Sequence, residues 1–387
     1  MSLHLEIASC IRATSKFSNC TKCVDACPES ITLVDNLPSF ANNTGVEAAA
    51  CVGVCPTEAF SLSDFSTTEF FFTFLDSKIR LISPKMNLPC LSVLSVEHFI
   101  SLALASADTI TLDLSSYDEE SILYAQIEAR IEEANFVLSA FSSKRLETNI
   151  DEMLSADVNK EETNEESAVH TRRSFLGNVS LKGVVKHKMT FDEAVEADEL
   201  KTFDLDRATI AKIREKNVPD KRKILFTTLK QAGVPDAFEV LAEEDISFTS
   251  QKFVDDSCTN CQICYRICPT GALSSDAKFS IINFDAMLCV KCRLCHEVCE
   301  PKSIQLQPGF EIKEFFEPLQ RTLATFNIKR CNECGNNFTY RGGEQACSRC
   351  LEEENEAMFL HENAKKMKVD LEGSKEQEVR SKEGEIS

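Results

Sequence analysis

The sequence predicts an α+β protein assembled from small cysteine-bearing domains, with one small α/β domain between them. Three observations predict it. The runs "CTNCQICYRICPTGAL" from Cys258 and "CVKCRLCHEVCEPKSI" from Cys289 repeat one four-cysteine ladder at a constant offset of 31 residues. Between Phe70 and Phe141, apolar runs alternate with stretches of helical spacing. Toward the C-terminus, two C-x2-C pairs, Cys331/Cys334 and Cys347/Cys350, flank a glycine-containing segment.

Each ladder reads C-x2-C-x2-C-x3-C, the run that holds cubane [4Fe–4S] clusters, and in two-cluster proteins the fourth cysteine crosses to the other cluster. Each iron of a cubane needs one thiolate, so four cysteines must converge on a small cube from different directions. A tight loop supplies three of them, and the fourth comes from elsewhere. On this rule Cys258, Cys261, Cys264 and Cys299 hold one cluster, and Cys268, Cys289, Cys292 and Cys295 hold the other. Pro269 redirects the chain after the first ladder, since its ring sets φ and removes an N–H; in the second copy Glu300 intervenes before Pro301. A disulfide framework or a zinc site fits this spacing poorly, because closed zinc sites draw on separated ligand pairs. With these ladders and the "CPTGAL" at Cys268–Leu273, the stretch from Val254 to Leu306 resembles the bacterial two-cluster ferredoxins. The resemblance implies a pseudo-twofold ferredoxin-like domain over residues 251–310 that carries single electrons. His296 lies within the second ladder, where no ligand is missing, and is expected at the surface or beside a ligand.

Composition narrows the rest. A chain of 387 residues predicts two or three domains. Its 19 cysteines sit in short-spaced groups, which suits metal ligation better than a secreted disulfide scaffold. The formal charge of −20 disfavours nucleic acid and anionic membranes as partners and suits a basic patch on a redox partner. The tail from Leu351 to Ser387 carries 11 acidic and 6 basic residues, so the body stays acidic without it. "MSLHLEIASC" lacks a basic region followed by an apolar core, and no run of 18 apolar residues occurs. The expectation is a soluble cytoplasmic protein without direct membrane insertion.

Residues 1–66 look like a worn copy of the ferredoxin unit, with "CTKCVDACPES" from Cys20 and "CVGVCPTEAF" from Cys51. The first ladder position falls on Phe17, and Cys10 is placed to swing in for it; Gly45 and Ala48 stand where two further ligands belong. The crossover rule then assigns a third iron–sulfur cluster to Cys10, Cys20, Cys23 and Cys55. Cys27 and Cys51 are left over, and three roles fit them: substitute ligands, small buried apolar residues, or ligands to a different metal. The wide first gap, the middle domain and the downstream two-cluster unit together resemble iron–sulfur proteins encoded beside molybdenum or tungsten oxidoreductases such as formate dehydrogenase.

Residues 67–148 are expected to form the small α/β domain. "FFFTFL" and "TITLDL" read as strands, Ser95–Ala107 as a helix, and Leu123, Ile127, Ile131, Ala134 and Leu138 as one face of a second helix, giving βαβα. No G-x-G-x-x-G or G-x-x-x-x-G-K-[ST] loop occurs, so the domain is read as scaffolding or docking. Cys90 is expected as an ordinary, partly buried thiol. Where the resembling proteins carry a second cysteine pair after the next strand, this chain has Ser115, Ser116, Tyr117 and Asp118.

Residues 149–200 read as an acidic linker and surface segment. Within it, "TRRSFL" resembles a twin-arginine export signal, but it is internal and lacks a following apolar stretch, so Arg172 and Arg173 are expected on a surface helix or against an acidic partner. Residues 201–250 read as short helices, with Ile210, Ile213, Ile224, Leu225 and Leu229 at helical spacing interrupted by Pro219 and Pro235. In 325–352, Cys331, Cys334, Cys347 and Cys350 form a zinc-ribbon-like pair of knuckles able to point four thiolates at one tetrahedral ion; a rubredoxin-like iron uses the same donors. The charged tail, 353–387, is expected to be mobile or a weakly packed helix.

The leading functional expectation is an electron-transfer protein passing single electrons through [4Fe–4S] clusters between cytoplasmic redox partners, a formate-dehydrogenase-type oxidoreductase complex among them. The rival is a maturation or assembly factor for a metallo-oxidoreductase, with structural clusters and zinc. An enzyme in its own right is disfavoured, since no flavin or nicotinamide loop, catalytic triad or carboxylate pair is present.

Overall fold

The computed structural model opens with strand β1 (Leu3–Leu5), helices α1 (Ile11–Thr14) and α2 (Lys22–Ala26), and the hairpin β2 (Thr32–Val34) and β3 (Leu37–Ser39). Asp35 and Asn36 take left-handed angles between those two strands, with φ of 50° and 68°, as a two-residue type I′ turn requires. Helix α3 (Ala50–Val54) follows, and β4 (Phe60–Leu62) returns to pair antiparallel with β1. The structure describes residues 2–41, 49–77, 79–150 and 216–384. Gly45, Ala48, Arg172, Arg173, Ile210 and Ile213 lie outside them. The chain divides into one unit of Met1–Ser275 with Ile282–Ala324 and a second of Asp276–Ile281 with Thr325–Ser387.

In the middle of the first unit the expected βαβα order is corrected. "FFFTFL" belongs to helix α4 (Thr67–Asp76), not to a strand. The Ser66 hydroxyl accepts the Glu69 N–H at 3.3 Å, and a helix gathers Phe70, Phe71 and Phe74 on its buried side. A short continuous apolar run carries no period that separates helix from strand, and here the serine cap decides. The first strand is instead β5 (Leu81–Ile82). Helix α5 (Val96–Ala105) crosses over to β6 (Ile110–Asp113), and α6 (Ile122–Ser139) to β7 (Leu146–Asn149). The three strands form a parallel sheet in the order 5-6-7, as helix crossovers impose. Asn149, expected in the linker, is the last residue of β7. Serines cap both crossover helices, Ser95 to His98 N at 3.3 Å and Ser121 to Tyr124 N at 3.1 Å. Tyr124, Ile127, Ile131, Ala134 and Leu138 are buried along α6, with Arg130 among them.

Asp220–Ala232 form helix α7, with Pro219 at its start, and a short 3-10 turn follows at Glu243–Asp245. Helix α7 packs on α5. The Glu58 carboxylate accepts its first backbone N–H groups, Asp220 at 2.6 Å and Lys221 at 3.1 Å. Arg222, fully buried, meets Glu97 of α5 at 2.9 Å and donates to Met287 O at 2.9 Å and Phe248 O at 2.7 Å. Lys221 Nζ lies 3.5 Å from the same carboxylate and donates to Cys55 O at 2.6 Å. Burial pushes the Glu97 pKa up, but the two cations outweigh it and hold the carboxyl below its usual range.

Strands β8 (Val240–Ala242) and β9 (Lys252–Val254), helix α8 (Ile263–Ile267), β10 (Leu273–Ser274), β11 (Ile281–Phe284), helix α9 (Leu294–Glu297) and β12 (Ile304–Leu306) follow. β9 pairs with β12 and β10 with β11, so the beginning of each cysteine ladder is tied to the end of the other. β13 (Gly309–Glu311) pairs back to β8, and helix α10 (Lys313–Phe316) then brings Phe315 against Phe310, Phe248 and Phe141 at ring distances of 5.0, 6.2 and 6.3 Å. These rings thus pack the segment just after α6 against residues around the ladders.

After β14 (Arg321–Thr325), the second unit holds an antiparallel hairpin of β15 (Ile328–Arg330) and β16 (Asn337–Thr339), and helix α11 (Ser348–Gly384). The tail expected from residue 353 is thereby continuous with the helix that carries Cys350.

Replacing Arg222 by Met leaves Glu97 buried with a single cation. Loss of one partner of such a pair costs about 3–5 kcal/mol, and chemical denaturation of Arg222→Met against the parent chain reads it directly.

Candidate metal centres

The two ladders follow matching backbone courses. Asn260 and Lys291, Gln262 and Arg293, and Gly271 and Lys302 are three pairs 31 residues apart, and all six have positive φ, from 46° to 77°. Gln262 and Arg293 stand at the N-termini of α8 and α9 in left-handed conformation. They turn the two loops at matching points, with Cys258 and Cys264 buried in the first and Cys289 and Cys295 in the second, while Cys261 is exposed and Cys292 half-buried. Non-glycine residues adopt this region at a cost, so its repetition at the same ladder positions reflects what the loops enclose. Glu300, despite displacing the proline, leaves this course intact.

Charge effects show which thiols share space. Cys264 is pushed up to about 12 by burial, and the sulfurs of Cys258, Cys261 and Cys299 push in the same direction. Cys295 is also pushed up to about 12 by burial, with Lys252 opposing and Cys268 and Cys289 reinforcing the rise. Burial raises Cys292 as well, with Cys268, Cys289 and Cys295 adding to it. Cys258, Cys261 and Cys299 thus act on Cys264, and Cys268 and Cys289 act on both Cys292 and Cys295, with Cys264 of the first ladder acting on Cys295 as well. Sulfurs crowded in low dielectric resist ionising together, and bound iron relieves that repulsion; the donor chemistry fits an iron–sulfur cluster. Hydroxyls lie near sulfur in both sets: Ser303 Oγ is 3.3 Å from Cys299 Sγ, and Ser250 Oγ 3.5 Å from Cys289 Sγ.

The N-terminal part makes a third gathering. Cys10 stands at the start of α1, Cys23 within α2 and Cys55 at the end of α3. Burial pushes Cys23 up to about 12, with Cys20, Cys55 and Cys10 adding to the rise, and Cys20 is raised by burial, with Cys55 and Cys10 contributing. Ala59 N donates to Cys55 Sγ at 3.3 Å. Phe17, at the vacant ladder position, is 60% exposed and points no side chain into a closed core. Thr21 has φ −118° where the ladders have left-handed Gln262 and Arg293, consistent with a first cysteine arriving from a different direction. Cys27 and Cys51 are both buried and bond to each other: the contact pulls Cys27 down to about 7 and pushes Cys51 up.

The sulfurs of Cys331, Cys334, Cys347 and Cys350 all lie within 4.8 Å of one another. Cys334 and Cys347 are 3.7 Å apart, close to the ~3.8 Å edge of a tetrahedron with metal–sulfur bonds of about 2.3 Å. The glycine-containing segment between the two pairs is not itself a hairpin. The hairpin β15–β16 encloses the first knuckle, and the second sits at the start of α11, because Gly342 and Gly343, both at positive φ, turn the chain after β16. Backbone N–H groups, first that of Cys334, pull Cys331 down to about 6; Cys347 N donates to Cys331 Sγ at 3.2 Å.

Cys90 is buried outside these groups, with Ser92 Oγ at 2.9 Å and Tyr117 Oη donating at 3.4 Å. Tyr117 thus serves the thiol from the stretch where the resembling proteins carry cysteines. His296 Nε2 lies 2.9 Å from Lys252 Nζ, and burial holds the imidazole down to about 4. The sequence reading passed over Ser250 and Lys252; the signal available was the difference between the two ladder copies just before their first cysteines.

The strained backbone at Lys302 has its test in Gly271, the matching position of the other copy. Lys302→Gly is expected to raise the unfolding free energy by up to about 1 kcal/mol by relieving the left-handed side chain, and Gly271→Ala to lower it by about as much. Thermal unfolding under anaerobic conditions measures both.

Residues 252–274 match the family described as the 4Fe-4S binding domain, so this stretch is an iron–sulfur domain of ferredoxin type. No curated protein matches the chain. No solved structure matches it. No helix among the described residues is long and apolar enough to cross a membrane.

Proposed function

We propose that the protein is a multi-cluster relay that accepts and passes on single electrons. The observation that carries this reading is the repeated left-handed course of the two ladders, with β9 paired to β12 and β10 to β11, which ties the end of each ladder to the start of the other. In this reading Cys258, Cys261, Cys264 and Cys299 hold one [4Fe–4S] cluster and Cys268, Cys289, Cys292 and Cys295 a second. Cys10, Cys20, Cys23 and Cys55 hold a third iron–sulfur cluster. Bound clusters supply reversible one-electron storage. The chain positions them, buries them and sets the local field through hydrogen bonds to sulfur and nearby cations.

Cys331, Cys334, Cys347 and Cys350 bind zinc in this reading, a closed four-thiolate site that stabilises the hairpin and helix start locally. The domain division read from the sequence, cytoplasmic location and a redox oxidoreductase partner complete the proposal. The acidic surface favours a basic docking face on that partner.

Anaerobic redox titration followed by electron paramagnetic resonance, with iron, zinc and labile sulfide counted on the same sample, tests it. Reversible reduction with interacting spins, iron and sulfide for three clusters, and one zinc per chain are expected. Cys334→Ser should release the zinc and leave the iron count unchanged. Clusters that assemble but accept no electron at any accessible potential would overturn the relay in favour of a structural or assembly role.

A further inference from the structure

The two thiol sets are built on repeated ladders, yet their surroundings are not repeated. Lys252 lies six residues before Cys258 and is buried, and its ammonium donates to Ser250 Oγ at 3.2 Å and meets His296 Nε2 at 2.9 Å. Neither partner is a carboxylate. Ser250 Oγ in turn lies 3.5 Å from Cys289 Sγ. A chain of contacts thus runs from a buried positive charge through a hydroxyl to a sulfur of the second set. Burial pulls the lysine pKa down, but the sulfurs of Cys289, Cys295, Cys292 and Cys268 outweigh it and raise it overall. The ammonium therefore stays charged.

The matching positions of the other copy carry none of this. Thirty-one residues on from Ser250 and Lys252 stand Ile281 and Asn283, and 31 residues back from His296 stands Tyr265. Lys216 Nζ donates to the carbonyls of Tyr265, Arg266 and Cys268, at 2.8, 2.9 and 2.8 Å, along the stretch between the third and fourth cysteines of the first ladder. Lys291, the other buried lysine of the ladders, is neutralised by Glu243 at 2.6 Å.

We infer that Lys252, acting through Ser250, holds the cluster on Cys268, Cys289, Cys292 and Cys295 at a higher reduction potential than the cluster on Cys258, Cys261, Cys264 and Cys299. The inference rests on the two-cluster reading above. Reduction adds one negative charge to a cluster, and a fixed positive charge in low dielectric favours that state. One electron accordingly leaves the first cluster and enters the second; no bond is made or broken and no proton moves. The duplicated domain becomes directional, with the second set as the resting place of the electron. Lys252 is a positioning residue for charge.

The experiment is a redox titration by electron paramagnetic resonance on the full chain, on Lys252→Gln, on Lys252→Arg and on Ser250→Ala, each with iron and sulfide counted. The native ladders should reduce in two separated one-electron steps. In Lys252→Gln the upper step should fall by at least a tenfold change in the reduction equilibrium, about 59 mV for one electron, and the lower step should hold. Lys252→Arg should keep the native separation, and Ser250→Ala should move the same upper step downward. An unmoved upper step in Lys252→Gln with its clusters present overturns the inference. If Lys252→Gln loses iron, an unmoved upper step in Ser250→Ala overturns it instead. A native chain without iron and sulfide for two ladder clusters refutes the two-cluster reading itself, a separate failure.

Discussion

One buried arrangement of charges holds the first unit together. Lys221 and Arg222, adjacent on α7, share the carboxylate of Glu97 on α5. The same two side chains reach the backbone of Cys55 in the N-terminal part and of Phe248 and Met287 beside the ladders. A single helical turn therefore fastens three cysteine-bearing or scaffolding regions that lie far apart in sequence. Ions in a protein interior are tolerable only when paired and fully hydrogen-bonded, so the regions have to arrive in one relative arrangement for any of these charges to be accommodated.

Close approach elsewhere supports the same arrangement. Arg130, buried on α6, donates to Ser92 O and Leu94 O, both at 2.9 Å. A Cβ on Gly53 of α3 would come within 2.3 Å of Ser92 O and 2.5 Å of Arg130 Nη1. Only glycine lets the helix ending at Cys55 come this near, which ties the placement of a candidate ligand to packing in the α/β domain. Within that domain α5 packs on α7, and the Leu91–Val93 turn packs on α3.

Electrostatics give the fold a consistent sign. The chain as a whole is strongly acidic, but buried lysines lie at the cysteine-rich regions, Lys221 at Cys55 O and Lys252 two contacts from Cys289, and the half-buried Lys216 reaches Cys268 O. Thiolates and reduced clusters concentrate negative charge where water cannot screen it, and inward-facing ammonium groups answer that charge locally.

The ladder spacing by itself marked the candidate thiols: a constant 31-residue offset and one crossover rule proposed two sets, and the same rule proposed Cys10, Cys20, Cys23 and Cys55 as a third. Cysteine spacing is legible because three ligands in a tight loop leave the chain few geometries. Apolar periodicity placed α5, α6 and β6 for the same kind of reason, since long periodic stretches have one face to bury. "FFFTFL" was not legible, because six apolar residues fit a helix or a strand equally and only the Ser66 cap and its neighbours chose. Nor could the sequence show that Cys27 bonds to Cys51, that Tyr117 serves Cys90, or that Lys252 reaches toward Cys289 through Ser250. Those contacts join residues 24 to 39 positions apart, and they exist only because sheet pairing and the buried charges on α7 bring distant segments together.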